Sequence, residues 1–229
     1  MNQANVDKYF GPEQAAGYDD RWRHTAGARD AMHLLLRLNF MGLPKDARIL
    51  CVGAGTGAEI LFLSEAFPGW HFTAVEPAKA MLDIFRDKAK AAGIADRCEF
   101  HEGFLGTLPA SEPFHAATSI LVSHFIVERQ ARVSFFRQIR ARLREGSLLV
   151  NADLSSALEP TAKEILYEQW LRFQTGRAHN EGTFADSPWK GNVEFSKPAE
   201  VVAMIEEAGF KSVLPTFQFL FINGWLAKV

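Results

Sequence analysis

The stretch Arg48-Ile49-Leu50-Cys51-Val52-Gly53-Ala54-Gly55-Thr56-Gly57-Ala58-Glu59-Ile60 decides the fold. Its apolar opening reads as a buried strand, and glycines at 53, 55 and 57 follow before an apolar helical pattern through Ile60, Leu61, Leu63 and Phe67. A sharp strand-to-helix turn needs backbone angles that glycine adopts cheaply, and the missing side chains let a ligand approach the main chain. The helix that follows aims free N–H groups and a partial positive charge at the same spot, which suits a phosphate or a carboxylate. Gly53, Ala54, Gly55, Thr56 and Gly57 are therefore candidate binding residues. Glu76 ends the next predicted strand, from Trp70 to Val75, and can accept both hydroxyl hydrogens of a ribose.

Strand and helix patterns alternate outward from this turn. Pro68-Gly69 stops the first helix, and a second helix runs after Pro77 to Gly93. Short apolar strands are predicted at Arg97–His101, Phe114–Val122 and Ser147–Asn151, with a helix at Val133–Leu143 before the last of them. Such alternation implies a parallel sheet with right-handed crossovers. The ending differs: after a helix at Pro198–Ala208, apolar runs at Val213–Phe221 and Trp225–Val229 flank Asn223-Gly224, which reads as a hairpin turn. The expected fold is α/β, a doubly wound Rossmann-like seven-stranded sheet, mostly parallel with an antiparallel C-terminal strand. It forms a single domain over residues 1–229, with a helical N-terminal lid at 1–45 and an inserted lid segment at 155–197. In the N-terminal helix the expected apolar stripe is Ala28, Ala31, Met32, Leu34, Leu35, Leu38 and Phe40.

At 229 residues and 48% hydrophobic, the chain can bury a full core. A net charge of -2 offers no general attraction for nucleic acid. The run Arg132, Arg137, Arg140, Arg142 and Arg144 reads as the solvated face of an amphipathic helix. Cys51 and Cys98 lie in apolar runs without metal spacing, so no metal site is expected. The first residues lack a signal-peptide pattern and no apolar run approaches a membrane span, so a cytoplasmic protein is expected.

The glycine turn alone leaves the ligand open, because Gly53-x-Gly55-x-x-Ala58 with Glu76 also satisfies a dinucleotide fingerprint. A helical extension before the turn and the terminal hairpin favour a methyltransferase over a nicotinamide oxidoreductase. Over nearly its whole length the chain resembles class I S-adenosylmethionine-dependent methyltransferases. Gly53–Gly57 is similar to their first motif, and Thr73-Ala74-Val75-Glu76-Pro77 with Met81 to their acidic second motif. Phe100-His101-Glu102-Gly103-Phe104 with Leu108-Pro109 resembles the adenine-contacting third, and Phe114–Ser119 with His124 the fourth. Leu143–Val150 resembles the fifth-strand signature. The resemblance implies S-adenosylmethionine as cofactor, S-adenosylhomocysteine as product, and Pro77, Met81, Gly103, Phe104, Leu105 and Ser119 as further cofactor contacts. The family often has Asp where Phe104 stands, so Phe104 would stack on or pack beside the adenine instead. His115 likewise replaces a frequent Asp.

Ala15–Asp19, Asn151–Leu154 and Phe217–Trp225 resemble a bacterial subgroup that contains carboxy-S-adenosylmethionine synthase, an enzyme of tRNA wobble-uridine modification. There a tyrosine near the N-terminus closes over the cofactor, a role this resemblance gives to Tyr18. The subgroup's carboxylate-holding arginine falls at Phe173, with Arg172 and Arg177 nearby, so the synthase activity is not carried over.

The expected function is methyl transfer from S-adenosylmethionine to a small-molecule acceptor. The alternatives are carboxy-S-adenosylmethionine synthesis and a non-catalytic cofactor-binding protein. His124 is the candidate general base and Asp153, placed just beyond the fifth strand, a second candidate; their alternatives are a packing histidine and a capping aspartate. Trp22, Trp170, Phe173 and Trp189 of the two lid segments would line a pocket for a small, flat or apolar substrate, or else serve as core. The apolar C-terminal strand and the lid leave a homodimer open.

Overall fold

Period-2 alternation in the strand that precedes the glycines sorts the core into two layers. In the computed structural model, which describes residues 3–178 and 181–229, seven strands form one sheet among the described residues. They are β1 (Arg48–Val52), β2 (His71–Glu76), β3 (Cys98–Glu102), β4 (Phe114–Ile120), β5 (Leu143–Leu154), β6 (Lys211–Phe219) and β7 (Ile222–Lys228), in the order β3-β2-β1-β4-β5-β7-β6. β1 to β5 pair in parallel, and β7 alone runs antiparallel, between β5 and β6. This is the doubly wound, mostly parallel sheet expected from the sequence.

Ile49 and Cys51 face the layer of α4 (Ala26–Phe40), α5 (Ala58–Ala66) and α6 (Lys79–Ala91), where Leu36, Phe40, Ile60, Leu82 and Phe85 are buried. Leu50 and Val52 face the opposite layer of α7 (Arg129–Arg140) and α9 (Pro198–Glu207), packed by Val133, Phe136, Ile139, Val201 and Ile205. Each such buried side chain contributes roughly 1.5–3 kcal/mol. A third cluster lies at the carboxyl ends of the strands, where α8 (Pro160–Thr175) and the segment after it bring Tyr167, Trp170 and Trp189 against Leu154, Phe221 and Trp22. Three short helices, α1 (Gln3–Phe10), α2 (Pro12–Ala16) and α3 (Tyr18–Arg21), cross the same end and pack Val6 and Ala15 on Ala78 and Met81.

Four local expectations are corrected. The hairpin turns at Leu220-Phe221, and Asn223 and Gly224 lie inside β7, opposite Asp153 and Ala152 of β5. Gly224 is needed there for room, since a Cβ would sit 3.0 Å from the Phe217 Cβ, and the buried Asn223 amide donates to the Ser155 and Phe221 carbonyls. β5 is longer than predicted, because Gly146 at φ 80° keeps the chain in the sheet through a register shift instead of starting the strand. Asp153 is consequently a strand residue. In α4 the buried stripe is Ala28, Met32, Leu36 and Phe40, while Leu34 and Leu38 are exposed. Finally, Arg132 is 1% exposed, and only the rest of that arginine run is solvated or half-buried.

Candidate functional site

The turn after β1 is built as its glycines imply. Gly53, Gly55 and Gly57 all have positive φ, at 73°, 54° and 79°. The Gly53 and Ala54 N–H groups both donate to the Val75 carbonyl, at 2.8 and 3.1 Å, which ties the turn to β2. Gly57 also has a packing reason, since a Cβ there would lie 1.9 Å from the Phe85 ring. Gly55 has none: its Cβ would meet only Met81 Cε, at 3.7 Å. The absent side chain at Gly55 therefore leaves a cradle that the protein itself does not fill.

Glu76 stands opposite this cradle at the end of β2. Its Oε2 accepts from the Gly55 N–H at 2.8 Å and its Oε1 from the Ala78 N–H at 2.9 Å, so each oxygen is oriented and keeps a lone pair. Burial raises the Glu76 carboxyl above its ordinary pKa, against those two N–H bonds. Burial likewise pushes the Tyr18 phenol up to about 12, with the Glu76 charge adding.

A cavity of about 430 Å³ starts at this end, lined by Gly53, Glu76, Pro77, Met81, Gly103, Phe104 and Leu105, with Tyr18 above them. It continues past Leu121 and His124 to Trp22, Trp170, Trp189 and Val193. Leu121, which also lines the cavity, holds φ 59°, an uncommon angle for a branched residue. Among the described lining residues none is Lys or Arg. Of the sequence candidates, Ala54, Gly55, Thr56, Gly57, Ser119 and Asp153 do not line the cavity. Ser119 is fully buried, and its hydroxyl has no partner among the described residues. Phe173 packs on Phe219 instead, with ring centroids 4.6 Å apart. His115 is a brace: its Nδ1 accepts from the Arg48 N–H at 2.9 Å.

The structure brings His124 and Asp153 together. His124 lies in the turn Ser123–Phe125 after β4, and its Nδ1 is 3.1 Å from Asp153 Oδ1. The same oxygen accepts the His124 backbone N–H at 2.9 Å. Asp153 Oδ2 accepts from the Ser123 hydroxyl at 2.6 Å, the Asn151 amide at 2.7 Å and Arg132 at 2.9 Å. Burial pushes the Asp153 carboxyl up, but Arg132 and His124 outweigh it and hold the group well below the usual carboxylate range. Burial lowers the His124 pKa, with Arg132 adding and Asp153 opposing. As a carboxylate Asp153 can only accept, which favours hydrogen on His124 Nδ1; the Leu154 backbone N–H, 3.3 Å from the same nitrogen, is the competing contact. Nε2 makes no hydrogen bond among the described residues, and the ring lines the cavity.

Sequence reasoning missed Arg132, Ser123 and Asn151. A signal was present for Arg132, which precedes the buried Phe136 and Ile139 by four and seven residues and so shares their helix face. Asp19 was also missed: it accepts from the Thr56 hydroxyl at 2.7 Å and pairs with Lys88.

Residues 49–146, which span the glycine turn, Glu76 and His124, match the methyltransferase domain family. A carboxy-S-adenosyl-L-methionine synthase of Dichelobacter nodosus (strain VCS1703A) is 24% identical over 230 residues, which cover 97% of this chain and 92% of the relative. In fold, the chain is similar to an O-methyltransferase family 2 protein from Planctomyces limnophilus DSM 3776 in complex with apigenin. The TM-score is 0.59 at 20% identity, over 86% of this chain and 61% of that one. The mitomycin 7-O-methyltransferase MmcR gives 0.59 at 21%, over 83% and 50%. The chain thus spans 50–61% of the length of these two solved structures. No helix among the described residues is long and apolar enough to cross a membrane.

Proposed function

We propose that this protein transfers a methyl group from S-adenosylmethionine to a small-molecule acceptor, with His124 as the general base for an oxygen nucleophile. One observation carries the reading: a single cavity runs from Glu76 and Gly53 to the side of His124. The cradle at Gly55 and the oriented Glu76 carboxylate fit the adenosyl group, with Glu76 accepting from the ribose hydroxyls and Gly103, Phe104 and Leu105 beside the adenine. Pro77, Met81 and Tyr18 would close the site, and Ala54, Thr56, Gly57 and Ser119 would support it from behind.

When bound, S-adenosylmethionine supplies an electrophilic methyl group on a sulfonium. The chain's own task is mainly alignment and exclusion of water, and positioning of this kind can supply on the order of 7–11 kcal/mol. The aromatic walls of Trp22, Trp170 and Trp189 suit a flat or apolar acceptor. With Nδ1–H given to Asp153, the free Nε2 of His124 accepts the acceptor's hydroxyl proton. Asp153 orients the imidazole and touches no substrate.

The second reading, carboxy-S-adenosylmethionine synthesis, is favoured by the full-length similarity to the Dichelobacter relative. Against it, an added carboxylate would find no Lys or Arg among the described lining residues. The reaction belongs in the cytoplasm on this reading, with Cys51 and Cys98 both free thiols. A homodimer through the C-terminal strand, whose Leu214 is exposed, is its proposed assembly and is checked by sedimentation.

The deciding experiment offers S-adenosylmethionine with a panel of small phenols and follows S-adenosylhomocysteine and methylated product by mass spectrometry. Methyl ethers from at least one phenol support the proposal. Stabilisation by NAD(H) and not by S-adenosylmethionine in a thermal-shift assay overturns it, and so does a copurifying ligand with the mass of the carboxylated cofactor.

A further inference from the structure

Three ionisable side chains share one buried cluster behind the cavity. Asp153 is 0%, Arg132 1% and His124 2% exposed. Arg132 reaches in from α7 with fixed partners: Ser123 Oγ at 2.8 Å, Asp153 Oδ2 at 2.9 Å and Ser196 Oγ at 3.2 Å. The cluster contains one carboxylate and two groups that can carry positive charge. A guanidinium stays protonated under all ordinary conditions, whereas an imidazole can give its proton up.

Charge counting then decides which of them is the cation. With Arg132 paired to Asp153, a neutral His124 leaves the buried cluster at net zero. Protonating His124 would leave one uncompensated positive charge out of water, which is strongly disfavoured. Without Arg132 the count reverses, and an imidazolium would become the only available counter-charge for Asp153. We propose that Arg132 is a positioning residue that keeps His124 neutral, and so able to accept a proton, by serving as the permanent counter-ion of Asp153.

The proposal rests on the reading of His124 as the base, but its physical content is the protonation state and can be tested apart from activity. Asp153 of β5 and Arg132 of α7 are the charged groups that act on the ring. Glu194, from the lid segment, binds the His124 carbonyl through its backbone N–H and keeps its side chain exposed. Burial and Arg132 both work toward the neutral ring, against Asp153. Arg132 does not line the cavity and is not placed to touch a substrate; its side-chain partners are Asp153, Ser123 and Ser196.

The test is a histidine NMR titration of the full chain, with His124 assigned from its absence in His124→Gln. In the unsubstituted protein His124 is expected to stay neutral at pH 6; an imidazolium there overturns the proposal without any variant of Arg132. In Arg132→Met its protonation is expected to move up by at least about one pH unit, a tenfold change in the proton equilibrium. Arg132→Lys is expected to restore the original titration. An unchanged His124 titration in Arg132→Met overturns the proposal. Should that variant not fold, Arg132→Met/Asp153→Asn removes both charges together, and His124 must then remain neutral at pH 6. Full turnover in His124→Gln would sink the base reading while leaving these titrations as they are.

Discussion

The Thr56 hydroxyl donates to Asp19 Oδ1 across 2.7 Å, which joins the glycine turn after β1 to α3 of the N-terminal segment. Lys88 of α6 pairs with the other oxygen of the same carboxylate. Asp19 is therefore the point at which the segment carrying Tyr18 is fastened over the cavity.

Removing that fastening should loosen the N-terminal segment more than the fold. The Asp19 and Lys88 side chains are 50% and 33% exposed, so their ion pair contributes little, and the Thr56 hydrogen bond about 1 kcal/mol. Asp19→Ala is expected to speed release of S-adenosylhomocysteine roughly fivefold, following that energy, with a near-normal melting temperature. Asp19→Asn, which can still accept from Thr56, should show a smaller change. A stopped-flow release rate identical in all three proteins would mean that this segment does not close the site.

Two of the turn glycines should fail differently. A Cβ on Gly57 would sit 1.9 Å from the Phe85 ring, at φ 79°. Gly57→Ala is expected to cost roughly 3 kcal/mol or more through overpacking and backbone strain. Gly55→Ala adds only the strain of a positive φ, about 1 kcal/mol, because Met81 Cε at 3.7 Å is an ordinary contact. It should fold and yet bind S-adenosylmethionine poorly. Thermal denaturation with and without ligand separates the two, and tight binding by Gly55→Ala would show that no ligand occupies the cradle.

The two-layer core was legible because β1 alternates in a two-sided way and its glycines punctuate the chain at fixed offsets. Glu76, His124 and Asp153 were candidates because of their place near the carboxyl ends of parallel strands, and the structure puts them there. What stayed hidden was decided by long-range packing. Asn223-Gly224 has the local chemistry of a hairpin turn, but register against Asp153 and the closeness of Phe217 place it inside a strand. Leu34 and Leu38 look like core by composition, while the sheet faces Met32 and Leu36. Arg132 was read by its charge, although its spacing to Phe136 and Ile139 put it on the buried face.

Glu59, in the first turn of α5, gives a pH-dependent stability that can be measured. Burial pushes its carboxyl from 4.5 to about 7, with the Glu76 charge adding. The folded state therefore holds this proton more tightly than the unfolded chain. Between pH 4.5 and about 7 the protein loses stability as pH rises, and above that window the full cost remains. The displacement corresponds to roughly 3 kcal/mol. Glu59→Gln is expected to be more stable than the unsubstituted protein by that amount at pH 8 and about equal at pH 4. His33, which burial lowers to about 4, runs the opposite way over much of the window, so the difference between the two proteins must be read. Urea unfolding at both pH values checks this, and a difference independent of pH rejects it.

Glu76 should make cofactor binding sensitive to acid. Its carboxylate accepts from two backbone N–H groups and, on the proposed function, from the ribose hydroxyls, so only the ionised form offers every acceptor. Because burial raises its pKa, it protonates at higher pH than an ordinary carboxylate, and affinity for S-adenosylhomocysteine should begin to fall while exposed carboxylates are still ionised. Hydrogen bonds to a charged group are worth about 1.5–3 kcal/mol, so Glu76→Gln should weaken binding roughly 10- to 100-fold at pH 7.5. The variant should also lose the acid dependence, since glutamine does not titrate. Calorimetric titration from pH 5 to 8 distinguishes this from general acid unfolding: if Glu76→Gln keeps the same pH profile as the unsubstituted protein, the carboxylate that controls the site is not Glu76.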